Sequence, residues 1–178
     1  MNTEEVRNTI PTILTDEVRS IIRTGLERGI LIFQGLDAKS RDTLGQYADN
    51  SEARNFFSAL CKGIEDAVQN ASLENWEVAS PKKNNSHYIE VSNASFMLHL
   101  RARHSDVPDY MMQRIEQFNK EWMPGKQLFI QLVYEKQDNT IKTAEFMVMD
   151  ENKNKISFPD SKLVGNWLFS VVEGSKAV

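Results

Sequence analysis

Cysteine and histidine are scarce in this chain, and each shortage excludes a class of site. Cys61 is the single cysteine, so no disulfide forms within the chain and no cysteine cluster holds zinc. The three histidines, at 87, 99 and 104, lack the H-x-x-x-H spacing that places two ligands on one helix face. No glycine-rich phosphate loop occurs either, and we therefore expect no metal, no nucleotide and no other cofactor.

Long hydrophobic runs and an excess of one charge are also lacking. The longest dense apolar run, ILIF at 30–33, is far shorter than the roughly 20 residues that span a bilayer. The first residues, MNTEEVRNTIPTIL, lack the basic segment of a secretory signal. With 21 basic and 25 acidic residues, the chain has no charge excess that attracts nucleic acid or an anionic membrane. These absences predict a cytoplasmic protein without membrane contact.

Two apolar segments lie near the N-terminus, separated by a glycine. Residues 16–29 carry apolar side chains at helical spacing, and Gly29 is expected to end this helix in a left-handed conformation. The ILIF segment, closed by Gly35, fits a buried strand or a last piece of helix, because four residues are too few for a period to decide. We favour the strand.

The clearest helix is predicted for residues 51–70. Ser51 is the expected N-cap, and one apolar stripe then follows about five turns through Ala53, Phe56, Phe57, Leu60, Cys61, Ile64 and Val68. Because Cys61 lies within this stripe, we expect a small buried side chain with little thiolate and no nucleophilic role.

After residue 75 the period changes from about 3.6 to about 2, which indicates strands. We predict a short strand at 76–78, a loop at 81–85, a hairpin of residues 87–91 and 95–103, a helix within 106–122, and strands at 128–134, 145–149 and 156–158. Ser161 is the expected cap of a C-terminal amphipathic helix with apolar positions at Leu163, Val164, Trp167, Leu168, Val171 and Val172.

These elements predict the α+β class. N-terminal helices pack on a mainly antiparallel sheet of about five strands, one helix is inserted between strands, and an amphipathic helix ends the chain. Residues 1–75 form the mainly helical part, and residues 76–178 form the antiparallel sheet with two helices. We expect residues 1–178 to be a single domain, because the long helix at 51–70 needs the sheet as its partner surface.

The predicted hairpin provides the candidate binding site. In a hairpin with a two-residue turn near Asn93, opposing positions add up to an odd number, so alternate residues sort onto two faces. One face carries the apolar side chains together with His87: His87, Ile89, Val91, Phe96, Leu98 and Leu100. The other face carries the candidate binding residues Tyr88, Glu90, His99, Arg101 and Arg103, together with Met97. A slip of two residues in the register leaves this sorting unchanged.

Two interpretations of that polar face stay open. As a site, Arg101 and Arg103 offer forked donors to an anion, Glu90 orients His99, and Tyr88 adds an aromatic plane. As ordinary structure, the same side chains form the solvated side of a sheet, where each cross-strand charge pair contributes less than about 1 kcal/mol. If the face belongs to an enzyme, we expect His99 to act as the general acid or base and the arginines to stabilise charge.

A second candidate surface is the methionine-containing stripe of the predicted helix. Met111, Met112, Ile115 and Phe118 recur at helical spacing, and Met123 lies just beyond them. Such a stripe fits a methionine-rich binding surface or an ordinary core face. We favour the core.

The sequence thus favours a non-catalytic protein-binding module, of the regulatory, antitoxin-like or phage-defence-associated kind found among small microbial proteins. The helical part, acidic at Glu4, Glu5, Asp16, Glu17 and Glu27, and the sheet face are the two surfaces considered for a protein partner. The alternative is an enzyme or binder that acts on an anionic small molecule or single-stranded nucleic acid through Tyr88, Glu90, His99 and Arg101. Residues 80–140 carry eight bases and seven acids, so the support for nucleic acid is weak.

Overall fold

Helices dominate the first part of the chain and strands the second. The computed structural model describes residues 1–35, 41–47, 55–83, 86–104 and 109–164. The helices are α1 (Thr3–Ile13), α2 (Asp16–Gly35), α3 (Asn55–Ala71) and α4 (Asp109–Lys120), with a 3₁₀ segment at Arg41–Tyr47. The strands are β1 (Glu77–Ala79), β2 (Lys82–Lys83), β3 (Ser86–His87), β4 (Glu90–Ser92), β5 (Phe96–Ala102), β6 (Leu128–Gln137), β7 (Thr140–Met149) and β8 (Lys155–Val164). The predicted α+β class is confirmed.

Helix α2 is longer than the sequence pattern predicts. The strand expected at 30–33 is wrong, because these residues form the last turns of α2. Ile30 is buried whereas Leu31 is 44% exposed, as expected where one face of a helix packs inward. Gly29 does not end the helix. A Cβ atom there would lie 2.6 Å from the Cα atom of Leu60 in α3, so the glycine allows the two helices to touch.

The contact between α2 and α3 depends on three glycines. Gly25 and Gly29 are four residues apart and therefore lie on one face of α2. A Cβ atom on Gly25 would lie 2.7 Å from the Cα atom of Ile64. A Cβ atom on Gly63 of α3 would collide with the backbone of Gly25 and Gly29. The two backbones are thus in direct contact, which only residues without a side chain allow.

Helix α3 confirms the predicted stripe over the described residues. Phe56, Leu60, Ile64 and Val68 are all buried. Cys61 is buried within this stripe, as predicted. The expected cap at Ser51 and the first stripe residue lie outside the described residues.

Six strands form one mixed sheet in the order β1-β4-β5-β6-β7-β8, one strand more than predicted. All neighbouring pairs are antiparallel except β5 and β6, which are parallel with Leu98 opposite Ile130. A parallel pair needs a long crossover, and the segment that contains α4 provides it. Helix α4 is therefore inserted between strands, as predicted.

Two local predictions differ from the structure. The loop expected at 81–85 contains β2. This strand pairs with β3 in a separate two-stranded sheet, in which Lys82 lies opposite His87. The C-terminal helix expected from Ser161 is not observed in the described residues, since β8 continues to Val164 in the ladder with β7. The later apolar positions of that helix, at 167–172, lie outside the described residues.

The sheet is covered on two faces, which we call the first and the second face. The first face carries alternate apolar side chains, among them Leu98, Ile130 and Phe146, and they belong to one large core cluster with the buried side chains of α1, α2 and α3. The second face carries the intervening residues of the same strands. A smaller cluster of Met97, Phe129 and Met149 from the sheet and Ile115 from α4 lies there.

Candidate functional site

The β4–β5 hairpin places the predicted polar residues on one face, the second. Glu90 lies opposite His99, and Val91 lies opposite Leu98, so the predicted sorting is confirmed for these pairs. The two-residue turn consists of Ala94 and Ser95, directly after Asn93. Asn93 donates its backbone N–H to Phe96 O, and its Oδ1 accepts the N–H groups of Ser95 and Phe96. Each possible turn gives an odd sum, and the sorting therefore stays the same.

Glu90 joins three structural elements through one carboxylate oxygen. His99 Nε2 lies 2.7 Å from Glu90 Oε2. Arg114 of α4 donates from Nη1 to the same oxygen at 3.2 Å. Its Nη2 donates to Met97 Sδ at 3.2 Å. Because a carboxylate only accepts, His99 donates from Nε2 and the helix is tied to the hairpin by charge-assisted hydrogen bonds.

His99 is enclosed by aromatic rings. The centroid of its ring lies 4.6 Å from that of Phe129 and 5.2 Å from that of Tyr88, and only 4% of the residue is exposed. Burial lowers the pKa of His99, and the hydrogen bond to Glu90 opposes this shift. The hydrogen bond from His99 lowers the pKa of Glu90, with Arg114 acting in the same direction and burial opposing it. At neutral pH the pair is a neutral imidazole and an ionised carboxylate.

Arg101 of β5 and Arg103, just after the strand, lie farther along the same face. Arg103 belongs to a second cluster, in which its Nη2 donates to Glu145 Oε1 at 2.8 Å and its Nε lies 3.6 Å from Glu135 Oε2. Glu145 also accepts a hydrogen bond from Ser157 Oγ. Arg101 lies opposite Val133 of β6. Burial, and then the neighbouring charge of Arg103, lower the pKa of Arg101.

This face is not the open, solvated surface that one interpretation of the sequence implied. Met97 and His99 are buried, and Met111, Met112 and Phe118 of the predicted methionine stripe pack against the small cluster under α4. That stripe is therefore core, as the sequence favoured. Met123, just beyond α4, is 54% exposed.

Sequence reasoning missed the residues that hold α4 in place. Neither Arg114 nor Asn119 is among the candidate residues that the sequence predicts. Asn119 is 1% exposed, accepts the Phe129 N–H at 3.0 Å and donates to Met149 O at 2.9 Å. The available signal was Phe129 itself, together with Val133, because a strand with apolar residues at both alternations is covered on both faces.

A groove of about 350 Å³ lies at the C-terminal end of α4. It is lined by Gln117, Phe118, Glu121, Lys126 and Gln127. Its wall is fixed by two hydrogen bonds, from Trp122 Nε1 to Lys126 O at 3.1 Å and from Gln127 Nε2 to Asn93 O at 2.6 Å. The lining thus combines one aromatic ring, two amides and one charge of each sign.

The chemistry available at these positions is limited by burial and pairing. A carboxylate that orients an imidazole is the arrangement used in general acid–base catalysis, but such a base must reach its substrate. The enclosed ring of His99 faces Phe129 and Tyr88 instead of solvent. Within the described residues, no three histidine, cysteine, aspartate or glutamate side chains group into a metal site.

Comparisons with known proteins yield no relative. No family model, characterised protein or solved structure matches the chain. No helix in the described part of the chain has the length and apolar character needed to cross a bilayer.

Proposed function

We propose that this chain is a non-catalytic protein-binding module, of the regulatory or antitoxin- and defence-associated kind, and that it holds its partner at the groove beside Phe118. The observation that carries the proposal is the groove itself. It is lined by the ring of Phe118, and in the chain Met123, one of the two exposed large apolar side chains among the described residues, lies between the lining residues Glu121 and Lys126. Protein interfaces are enriched in aromatic residues and methionine inside a polar rim.

The rim indicates the chemistry of the partner. Lys126 and Glu121 bring opposite charges, and Gln117 adds an exposed amide. Such a rim suits a partner that inserts one large apolar side chain and surrounds it with hydrogen-bonding groups. Neither a strongly basic nor a strongly acidic ligand is favoured by this balance.

The charged residues of the second sheet face support binding over catalysis. Glu90 is engaged by His99 and Arg114, and Arg103 is engaged by Glu145. These groups neutralise one another within the protein. The alternative, an enzyme or binder for an anionic small molecule or single-stranded nucleic acid through Tyr88, Glu90, His99 and Arg101, stays a prediction with less support.

The acidic N-terminal helices are a weaker choice for the docking surface. Glu4 and Glu5 are in the first turn of α1, and Asp16 and Glu17 are in the first turn of α2. Carboxylates at these positions stabilise the positive end of the helix dipole. Glu5 also completes a capping box with Asn2. Helix formation thus accounts for these four acids without a partner.

The same proposal includes two broader expectations. Residues 1–178 act as one domain, an expectation supported by the core cluster that joins helical residues such as Leu60 with sheet residues such as Leu98. A reducing cytoplasmic location is supported by the presence of a single cysteine, Cys61, whose side chain is buried.

The test compares two substitutions of exposed apolar residues. Met123→Glu places a charge beside the groove, and Leu31→Glu places one on α2 as a matched control. Proteins captured from the native host by each tagged variant are quantified by mass spectrometry, and the affinity of the main captured protein is then measured by calorimetry. We expect Met123→Glu to weaken that affinity at least about tenfold, since interface anchors contribute more than about 1.4 kcal/mol, while Leu31→Glu leaves it unchanged.

Two results would contradict the proposal. One is equal affinity of the wild-type protein and Met123→Glu. The other is binding of a single-stranded oligonucleotide or inorganic phosphate by the wild-type protein with loss of that binding in Arg101→Glu. The second result supports the alternative function at the sheet face.

A further inference from the structure

An aromatic corner at the junction of α2, α3 and β6 holds a lysine of the chain itself. Phe33 of α2 and Phe56 of α3 form the corner, with ring centroids 5.0 Å apart and planes at 86°. Lys136 Nζ lies 5.2 Å from the centroid of Phe33 and 5.0 Å from that of Phe56. Tyr134 extends the aromatic surface, with its ring centroid 5.8 Å from that of Phe56.

Two lysines of the same β6–β7 hairpin differ in what their ammonium groups contact. Lys142 lies 3.9 Å from the carboxylate of Glu135, as an ordinary surface lysine does. Lys136 is adjacent to Glu135 in the chain, yet within the described residues its ammonium pairs with no carboxylate and lies over two rings. A cation is attracted to ring faces, and perpendicular rings attract it from two sides.

The two rings of the corner are fixed by the surrounding structure, whereas the lysine that lies over them is exposed to solvent. Phe56 is buried in the large core, and Phe33 packs against that core. Gln34 Nε2 donates to Asn139 O at 3.4 Å and joins the end of α2 to the β6–β7 turn. Lys136 itself is exposed. Cation–π contacts at exposed positions are individually weak, so an external cation is able to replace this ammonium.

We propose that the Phe33–Phe56 corner is a binding site for an alkylammonium group, and that Lys136 fills it until an external ammonium displaces it. The site accepts a lysine side chain of another protein or a small quaternary ammonium compound, because both present the chemistry of the group already bound there. This inference does not depend on the groove beside Phe118, which lies on α4.

The experiment removes the internal occupant and offers two external ones. Choline and Nα-acetyl-lysine methylamide are titrated into the wild-type protein, Lys136→Ala and the matched control Lys142→Ala. Binding is followed by calorimetry and by the aromatic NMR signals of the phenylalanines. A tethered group competes at a millimolar or higher effective concentration, so we expect Lys136→Ala to bind about tenfold more tightly than the wild-type protein. Lys142→Ala is expected to match the wild type.

The two ligands distinguish the two sources of the cation. Tighter binding of the lysine amide indicates a lysine carried by a protein, and tighter binding of choline indicates a small quaternary ammonium compound. Phe33→Leu added to Lys136→Ala removes one ring and should abolish the gain, with folding of the double variant checked by its thermal transition. The proposal is overturned if Lys136→Ala binds neither ligand more tightly than the wild type, or if the gain persists without the Phe33 ring.

Discussion

Leu98, Ile130 and Phe146 on the first face of the sheet belong to a large apolar core with α1, α2 and α3, whereas His99 and Asn119 lie among methionines in a small cluster under α4. Apolar packing is non-directional, and its stabilisation grows with buried area. Hydrogen bonds of buried polar groups are directional, and the loss of one partner leaves the other unsatisfied. The large core on the first face, which we call the first layer, therefore depends on shape and buried area. The cluster under α4 on the second face, which we call the second layer, depends on a few specific polar contacts.

The largest loss of stability is expected at the contact between α2 and α3, where two helix backbones touch. Gly63→Ala places a methyl group against the backbone of Gly25 and Gly29, which side-chain rotation cannot relieve. We expect a loss of about 3 kcal/mol in the free energy of unfolding, at the upper end of the usual cost of overpacking, measured by urea denaturation. Gly35→Ala is the control, since nothing lies within 4 Å of its added Cβ atom. Equal effects of the two substitutions would show that the helix contact is looser than described.

A nearly equal loss is expected from one amide in the second layer. Asn119→Ala leaves the Phe129 N–H and the Met149 carbonyl without their partner. Each buried polar group that is left without its partner costs about 1–3 kcal/mol. For the two groups together we expect a loss of about 3 kcal/mol in the free energy of unfolding. Urea denaturation gives the value. A loss below about 1 kcal/mol would mean that α4 does not depend on this amide.

The carboxylate that joins α4 to the hairpin is expected to contribute somewhat less. Glu90→Gln keeps the size of the side chain but removes the charge that Arg114 and His99 engage. The side chain of Glu90 is partly exposed, so we expect a loss of about 2 kcal/mol, below the range for a fully buried pair. Arg114→Met combined with Glu90→Gln should cost less than the sum of the two single losses. Strict additivity would argue against the pairing.

Acidification is expected to weaken the second layer in two steps. Burial lowers the pKa of His99, so the unfolded chain takes up a proton near its ordinary pKa of about 6.5 while the folded protein resists it. The contribution of His99 is therefore complete above pH 6.5 and is lost as the pH falls through the folded pKa. Glu90, whose pKa is also lowered, adds a second loss that starts near its ordinary pKa of about 4.3.

Urea denaturation between pH 7.5 and 5 checks the first step. His99→Gln should flatten the dependence in this interval because it removes the titrating group. An unchanged slope in the variant would assign the effect to other groups.

The smallest effect is expected for a swap of similar volume in the methionine cluster. Met97→Leu keeps the packing and removes only the weak sulfur acceptor of Arg114, so we expect a loss below about 1 kcal/mol. Leu98→Met is the matched change on the first face, with a similarly small loss. A loss above about 2 kcal/mol for Met97→Leu alone would show that the sulfur contact, and not volume, matters at this position.

The alternation of side chains along a strand was sufficient to predict on which face of the sheet each hairpin residue lies. Glu90 and His99 fall on one face and Val91 and Leu98 on the other for any two-residue turn, including the observed one. The covering of the second face was not predicted. Its sequence signal was the pair Phe129 and Val133, which are both fully buried and lie on the face opposite Ile130 and Leu132.

Glycine was the second source of error. Gly29 has the position of a helix stop in the sequence, yet its role is to admit α3. The spacing of Gly25 and Gly29 places both on one helix face, but only the contact with α3, about 30 positions later, shows why α2 continues past Gly29. The parallel pairing of β5 and β6 had a local signal in the helix between them, because strands joined by a helix pair in parallel.

Native-state hydrogen exchange compares the two layers most directly. The account predicts that the amides of α4 exchange through an opening of lower free energy than those of α3, and that Glu90→Gln lowers the protection of α4 more than that of α3. Equal protection of both helices in the wild-type protein, with an equal decrease in the variant, would contradict it.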